Sequence, residues 1–140
     1  MIIVDTGVLY ALADRRDAHH AACVRWLVSV RVPMIVPPPV IAEACYLIGR
    51  HLGAEAEAVF LDAFGPGQAF TLGDLLPADL TRMAELVRQY SDLALGGTDA
   101  AVVSVAERLG VAEVATVDRR HFSVVRPRHV SSLVLLPADL

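Results

Sequence analysis

Short apolar runs alternate along this chain with longer stretches whose apolar residues recur every three to four positions, and that alternation predicts its elements. "MIIVD" reads as a buried strand ending at Asp5, and "TGVLYALA" as a short helix after it. "DRRDAHH" is a polar break in which Asp17 is placed to cap a helix carrying Ala21, Val24, Leu27 and Val28 on one face. "PMIVP" is a second strand, stopped by prolines that are tolerated at the start of the next helix, residues 39–52. "AEAEAVFLDAF" is another helix, closed by "GPG", and "QAFTLG" is a strand. From Pro77 to Tyr90, Leu80, Met83, Val87 and Tyr90 fall at helical spacing. "GGTDAAVVSVAERLG" is the clearest helix, with Thr98 or Asp99 as N-cap and Gly110 as its stop. "EVATVD" is a strand ending in Asp118, and "SSLVLLP" is a last, edge strand. Strands alternating with helices predict an α/β fold, a three-layer α/β/α sandwich around a mainly parallel sheet, with residues 1–140 as one domain.

One segment strains this pattern. In "VPPPVIAEACYLIG", residues 36–49, the one charged residue is Glu43, and an ionised carboxylate in apolar surroundings is costly unless something pairs with it. Hydrophobic residues make up 55% of the chain and mean hydropathy is +0.52, which fits a sheet buried on both faces and an apolar surface left for a partner. Residues 32–49 are too short and too broken by Pro33, Pro37, Pro38 and Pro39 to be a membrane span. No basic segment precedes the first apolar run, so no signal peptide is expected. Cys23 and Cys45 lie far apart, outside any ligand-like spacing, and are expected to be reduced core thiols, consistent with a cytoplasmic protein. A formal net charge of −4 argues against a protein that coats nucleic acid by bulk electrostatics.

All 12 basic residues are Arg. Without Lys, a Walker A loop, a Schiff-base enzyme and a receiver domain with an active-site Lys are excluded or severely weakened, and neither GxSxG nor GxGxxG occurs. The chemistry is left to acids, His, Arg or metal.

In a parallel α/β sheet, ligands bind beyond the carboxyl ends of the strands. Asp5 and Asp118 end strands, Asp99 lies in the first turn of a helix, and Glu43 lies about one turn into the helix after the second strand. Singly, each has a structural explanation: Asp99, Asp5 and Asp118 as caps, Glu43 at the surface or against an Arg. Together on one rim they would repel, raising a pKa or requiring a cation. Oxygen donors without a His or Cys set point to Mg²⁺ or Mn²⁺ rather than Zn²⁺.

"IVDTGVLYAL", "VIAEACYL", "GGTDAAVVSVAERLG" and "ATVDRRHF", in that order, resemble the PIN domain, and specifically the VapC-type toxins of bacterial toxin–antitoxin pairs. The resemblance runs from residue 2 to about residue 136. It implies a metal-dependent ribonuclease whose acids match Asp5, Glu43, Asp99 and Asp118. It also implies a homodimer, inhibited by a cognate VapB-like antitoxin whose C-terminal segment lies across the active-site groove. Thr6 and Thr116 sit where such proteins often carry a small hydroxyl beside the acids; Thr6 either orients a carboxylate or caps the short helix. Asp92 is placed as an accessory acid. Gly96 and Gly97 stand where family members often have another acid, and His121 near the position of a frequent Asp. Both departures weigh against a full second metal site.

The chemistry expected of this set is metal-assisted hydrolysis of RNA to 5′-phosphate and 3′-hydroxyl ends, with Asp5, Asp99 and Asp118 as ligands and Glu43 as ligand or base. Arg119, Arg120, Arg126 and Arg128, joined by Arg15 and Arg16, are candidate phosphate contacts or ordinary loop ion pairs. The five histidines show no regular ligand spacing, and Trp26, Tyr46 and Tyr90 are expected to pack in the core or an interface rather than stack on bases. Two alternatives differ in class. One is a PIN-like module that binds RNA or antitoxin without turnover. The other is a metal-dependent phosphatase, disfavoured because Gly7 stands where a second Asp is needed and Lys is lacking.

Overall fold

The computed structural model describes residues 1–140. Five strands, β1 (Ile2–Val4), β2 (Met34–Val36), β3 (Phe70–Leu72), β4 (Glu113–Ala115) and β5 (Val134–Leu136), form one all-parallel sheet in the order β3-β2-β1-β4-β5. Seven helices connect them: α1 (Thr6–Ala13), α2 (His20–Ser29), α3 (Pro38–Leu52), α4 (Ala54–Asp62), α5 (Pro77–Gln89), α6 (Gly97–Leu109) and α7 (Arg119–Val124). The α/β sandwich expected from the alternation is the fold observed.

The order positions the site. From β1 the chain builds outward to β2 and β3, then crosses back to add β4 and β5 on the other side of β1. Where winding reverses, the connections on either side lead to opposite faces and a crevice opens above the strand ends. Here it lies between β1 and β4, whose exits carry Asp5 and Thr116. Central β1 is wholly buried, as a strand covered on both faces must be, whereas Thr71 and Leu72 of edge strand β3 are exposed. In α6, Ala100 through Ala106 are all buried. Ala, Val and Ser there are small enough to let the helix pack closely on neighbours all around it.

Several local expectations are corrected. Asp17 does not cap α2; His19 is the N-cap residue, and Asp17 Oδ1 accepts the His19 N–H one turn earlier, at 2.8 Å. The buried face of α2 is Cys23 and Trp26, leaving Val24 and Val28 exposed, because seating the large indole sets the helix rotation. On α5 the inward positions are Asp79, Met83, Leu86 and Tyr90, while Leu80 and Val87 are exposed. The reason is polar. Asp79 is 3% exposed and accepts from both Arg108 Nε (3.0 and 3.1 Å) and the Leu76 N–H (2.8 Å), which turns that side of α5 toward α6. Gly96, not Thr98 or Asp99, is the N-cap residue of α6. Strand β4 ends at Ala115, three residues before Asp118, and α7 follows without having been anticipated. Cys23 is buried and Cys45 half-buried, both free. No helix is long and apolar enough to cross a membrane.

Candidate active site

Asp5 leaves β1 and enters α1 with its backbone amide still bonded to the Ala115 carbonyl of β4 at 2.9 Å. That bond holds it against the exit of β4, where Thr116 Oγ1 donates to Asp5 Oδ2 (2.9 Å) and accepts the Asp118 N–H (2.9 Å). Close packing supports the junction: a Cβ on Gly7 would stand 2.3 Å from Val117 Cγ2, so α1 reaches this loop only because residue 7 has no side chain. Asp5 is 6% exposed. Burial pushes its carboxyl up to about 6; the Thr6 N–H and Thr116 hydroxyl pull it down, and the charges of Asp99 and Glu43 push it up again.

Asp99 sits in the first turn of α6, half-buried, with Oδ2 accepting the Gly96 N–H at 3.2 Å. It is therefore both a cap and a member of the cluster. Burial raises its pKa above the ordinary value, offset by the Gly96 N–H and by His121, with Asp118 and Glu43 adding to the rise. Of the places open to Glu43 among its apolar neighbours, it takes the surface: the residue is exposed. On α3, Val40, Ala44 and Ile48 point inward, and helical phase leaves position 43 on the outside despite its apolar neighbours. Its charge still reaches Asp5 and Asp99.

Asp118 caps α7, its Oδ1 accepting the His121 N–H at 3.0 Å, while Oδ2 takes a close hydrogen bond from His121 Nδ1. The other ring nitrogen, Nε2, faces the Leu93 carbonyl at 3.0 Å, and a carbonyl only accepts. Nε2 therefore carries a proton, and the proton between Nδ1 and Asp118 is shared within that close contact. The hydrogen bond to Asp118 is the main reason the His121 pKa lies above its ordinary value. His121 is the site residue that sequence reasoning missed as a participant. Its signal was the i, i+3 spacing of Asp118 and His121 across a helix start.

The remaining candidates are placed as follows. Thr6 is buried beside Asp5, and its Oγ1 has no hydrogen-bond partner. Asp92 lies exposed in a 3-10 turn, Ser91–Leu93, next to the carbonyl that receives His121. Arg119 turns its guanidinium to the Pro137 carbonyl, and Arg120 is exposed on α7. Arg126 folds back on the Ser123 carbonyl, while Arg128 pairs its guanidinium with Glu85 and donates its backbone N–H to Glu107 at the opposite end of α6 from Asp99, so both are held by local contacts. Arg15 is exposed at the mouth of a groove of about 710 Å³, floored by Leu9, Leu12, Leu27 and Phe60 and edged by Glu55.

No three acidic, His or Cys side chains are gathered tightly enough to hold an ion as they stand. Like charges spread, and Asp118 is drawn to His121. The donors nevertheless fit a hard divalent cation: carboxylate oxygens from separate segments, plus the buried, unpartnered Thr6 hydroxyl.

The PIN domain family model matches residues 2–126. Ribonuclease VapC26 of Mycobacterium tuberculosis is 34% identical over 136 residues, covering 97% of this chain and 100% of that protein. Among solved structures, Mycobacterium tuberculosis VapC20, a sarcin–ricin loop cleaving toxin, superposes with a TM-score of 0.76 at 19% identity, over 81% of this chain and 87% of that one. VapBC2 of Rickettsia felis, bound to a DNA fragment from its promoter, gives 0.66 at 17% identity over 96% and 97%. FitAcB of Neisseria gonorrhoeae gives 0.59 at 18% identity over 85% and 88%. At these identities the three structures share the fold.

Proposed function

The chain belongs to the PIN-domain family as a VapC-type member, and from that premise we propose that it is a Mg²⁺- or Mn²⁺-dependent endoribonuclease, the toxin of a toxin–antitoxin pair, leaving 5′-phosphate and 3′-hydroxyl ends. The observation that carries this reading is the junction of Asp5, Thr116 and Asp118 above the sheet's switch point, with the charges of Asp99 and Glu43 acting on the buried Asp5. A protein that needed only stability would not keep a 6%-exposed carboxylate under that pressure.

Asp5 and Asp99, with Asp118 once released by His121, would hold the cation. When bound, it supplies positive charge to the scissile phosphate and acidity to a water. Glu43, whose charge acts on Asp5 and Asp99, would join the ligands or accept the proton of the attacking water. Thr116 fixes the angle between Asp5 and Asp118, and Thr6 is placed to hydrogen-bond a water or ligand beside them. His121 holds Asp118 through its backbone N–H and its ring, and when protonated it sets a positive charge beside Asp99. Arg15 and the exposed Arg120 are the arginines we assign to RNA phosphates.

We assign the apolar groove to a VapB-like antitoxin. Helix α1 starts beside Asp5 and ends in the groove at Leu9 and Leu12, so a peptide following it leads from apolar contacts to the acids, with Arg15 on its path. Leu72, Leu76 and Leu80 stand exposed along β3 and the start of α5, a surface of the kind oligomers cover, which supports a homodimer; a cytoplasmic site of action belongs to the same proposal.

The test is cleavage of a mixed RNA pool with Mg²⁺, with Mn²⁺ and with EDTA, alongside Asp5→Asn. Cutting that needs metal, disappears in Asp5→Asn and yields ends ligatable through a 5′-phosphate is the expected result. Cutting that survives EDTA and Asp5→Asn, or that leaves 2′,3′-cyclic phosphates, overturns the reading.

A further inference from the structure

Glu43 shares its helix face with two residues that the site described above does not use. On α3, Glu43, Tyr46 and Arg50 fall at i, i+3 and i+7, so they rise along one side of the helix, and all three are exposed. Tyr46 is 63% exposed, which excludes the core from the two places expected for it, core or interface. Its hydroxyl accepts from Arg50 Nη1 at 3.3 Å. Helical side chains lean toward the helix N-terminus, so Arg50 reaches back to Tyr46, and Tyr46 leans over the turn that carries Glu43. That end of α3 directly follows β2, and from it the Glu43 charge acts on Asp5 and Asp99. A carboxylate, an aromatic ring and a guanidinium thus lead away from the site in a row.

We propose that Tyr46 is the platform on which an RNA base flanking the scissile phosphate stacks, with Arg50 taking the adjoining backbone phosphate; this rests on the nuclease reading and extends it to how substrate is held. The charge balance favours this occupant. The rim is acidic and the chain carries a net −4, so the RNA backbone is repelled everywhere except where a cation or an arginine meets it. A neutral π-face beside the rim holds a nucleotide without that repulsion, and the neighbouring Arg50 guanidinium adds a phosphate contact to those assigned to Arg15 and Arg120. Aromatic stacking with arginine is the usual way proteins hold unpaired nucleotides. A second copy of this chain seated on Tyr46 is the competing occupant.

The experiment takes an RNA oligonucleotide, recovered from a random pool, that the wild-type protein cuts at one position. It is compared with the same oligonucleotide made abasic at each nucleotide flanking the cut. With wild-type protein, one abasic change raises KM about tenfold, in keeping with the loss of one stacked base, with kcat little changed. Tyr46→Ala raises KM on the intact oligonucleotide to a similar extent and makes that abasic change silent, whereas Tyr46→Phe and Tyr46→Trp keep the wild-type pattern. An abasic penalty that persists in Tyr46→Ala overturns the proposal. So does a Tyr46→Ala protein that sediments as monomer where the wild type is a dimer and loses kcat equally on both substrates, which assigns the ring to a second copy. Wild-type protein that neither binds nor cuts RNA overturns the nuclease reading and this inference with it; normal cutting indifferent to residue 46 overturns this inference alone.

Discussion

Thr116 Oγ1 donates to Asp5 Oδ2 across 2.9 Å, and the same oxygen accepts the Asp118 N–H, so one hydroxyl sets the spacing of two acids 113 positions apart in number, 5 and 118. Val has nearly the same shape as Thr but offers neither bond. Thr116→Val leaves a buried carboxylate oxygen and a backbone N–H without partners, a loss of about 1–3 kcal/mol. Cleavage falls about 10- to 100-fold, the usual effect of removing a group that orients a metal-binding carboxylate. Thr116→Ser restores both. Initial rates and melting curves of the three proteins check this, and a fully active Val variant contradicts it.

A second network stabilises the fold away from the acids. Asp79 takes hydrogen bonds from Arg108, Ser104 and the Leu76 N–H, tying α5 to α6. Burial pushes the Asp79 pKa up, but these donors outweigh it and hold the group below its ordinary value. A carboxyl whose folded pKa is depressed stabilises fully above its unfolded value near 3.8 and loses that contribution as pH falls through the lower, folded value. Asp79→Asn therefore costs most at neutral pH, about 3–5 kcal/mol as expected for breaking a buried pair, and the difference from wild type shrinks toward pH 2. Urea midpoints from pH 2 to 7 read this directly; a difference independent of pH rules the network out as its source.

Much of this was legible in the sequence because strand and helix periods survive in short segments, and strand ends mark where acids emerge. "MIIVD" and the "GGTDAAVVSVAERLG" helix located Asp5 and Asp99 on that basis. What escaped depends on rotation and on distant partners. Apolar neighbours said nothing about the helical phase that turns Glu43 and Tyr46 outward. A six-residue helix such as α7 carries too little periodicity to detect, and past Ala115 the Thr116 hydroxyl takes the Asp118 N–H, a turn that apolar pattern does not mark. His121 owes its role first to Asp118 three positions earlier, but its second partner, the Leu93 carbonyl, comes from a segment 28 residues earlier that spacing does not reveal.

Gly7 and Val117 offer a reading of how tightly the junction is built. A Cβ on Gly7 would lie 2.3 Å from Val117 Cγ2, well inside contact distance. Val is β-branched and has little rotamer freedom with which to yield, so Gly7→Ala must move α1 or the Thr116–Asp118 turn. Either displacement separates Asp5 from Thr116. We expect Gly7→Ala to lose about 1–3 kcal/mol of stability, the range for overpacking, and to lose cleavage at least in proportion to a misplaced carboxylate. Removing the opposing methyls tests the cause: Val117→Ala in the Gly7→Ala background relieves the clash, so the double variant is more stable and more active than Gly7→Ala alone. Melting temperatures and cleavage rates of the four proteins form a double-mutant cycle with a favourable coupling. Additive losses would show that the two residues act separately, and that the junction of Asp5 with Asp118 does not depend on this contact.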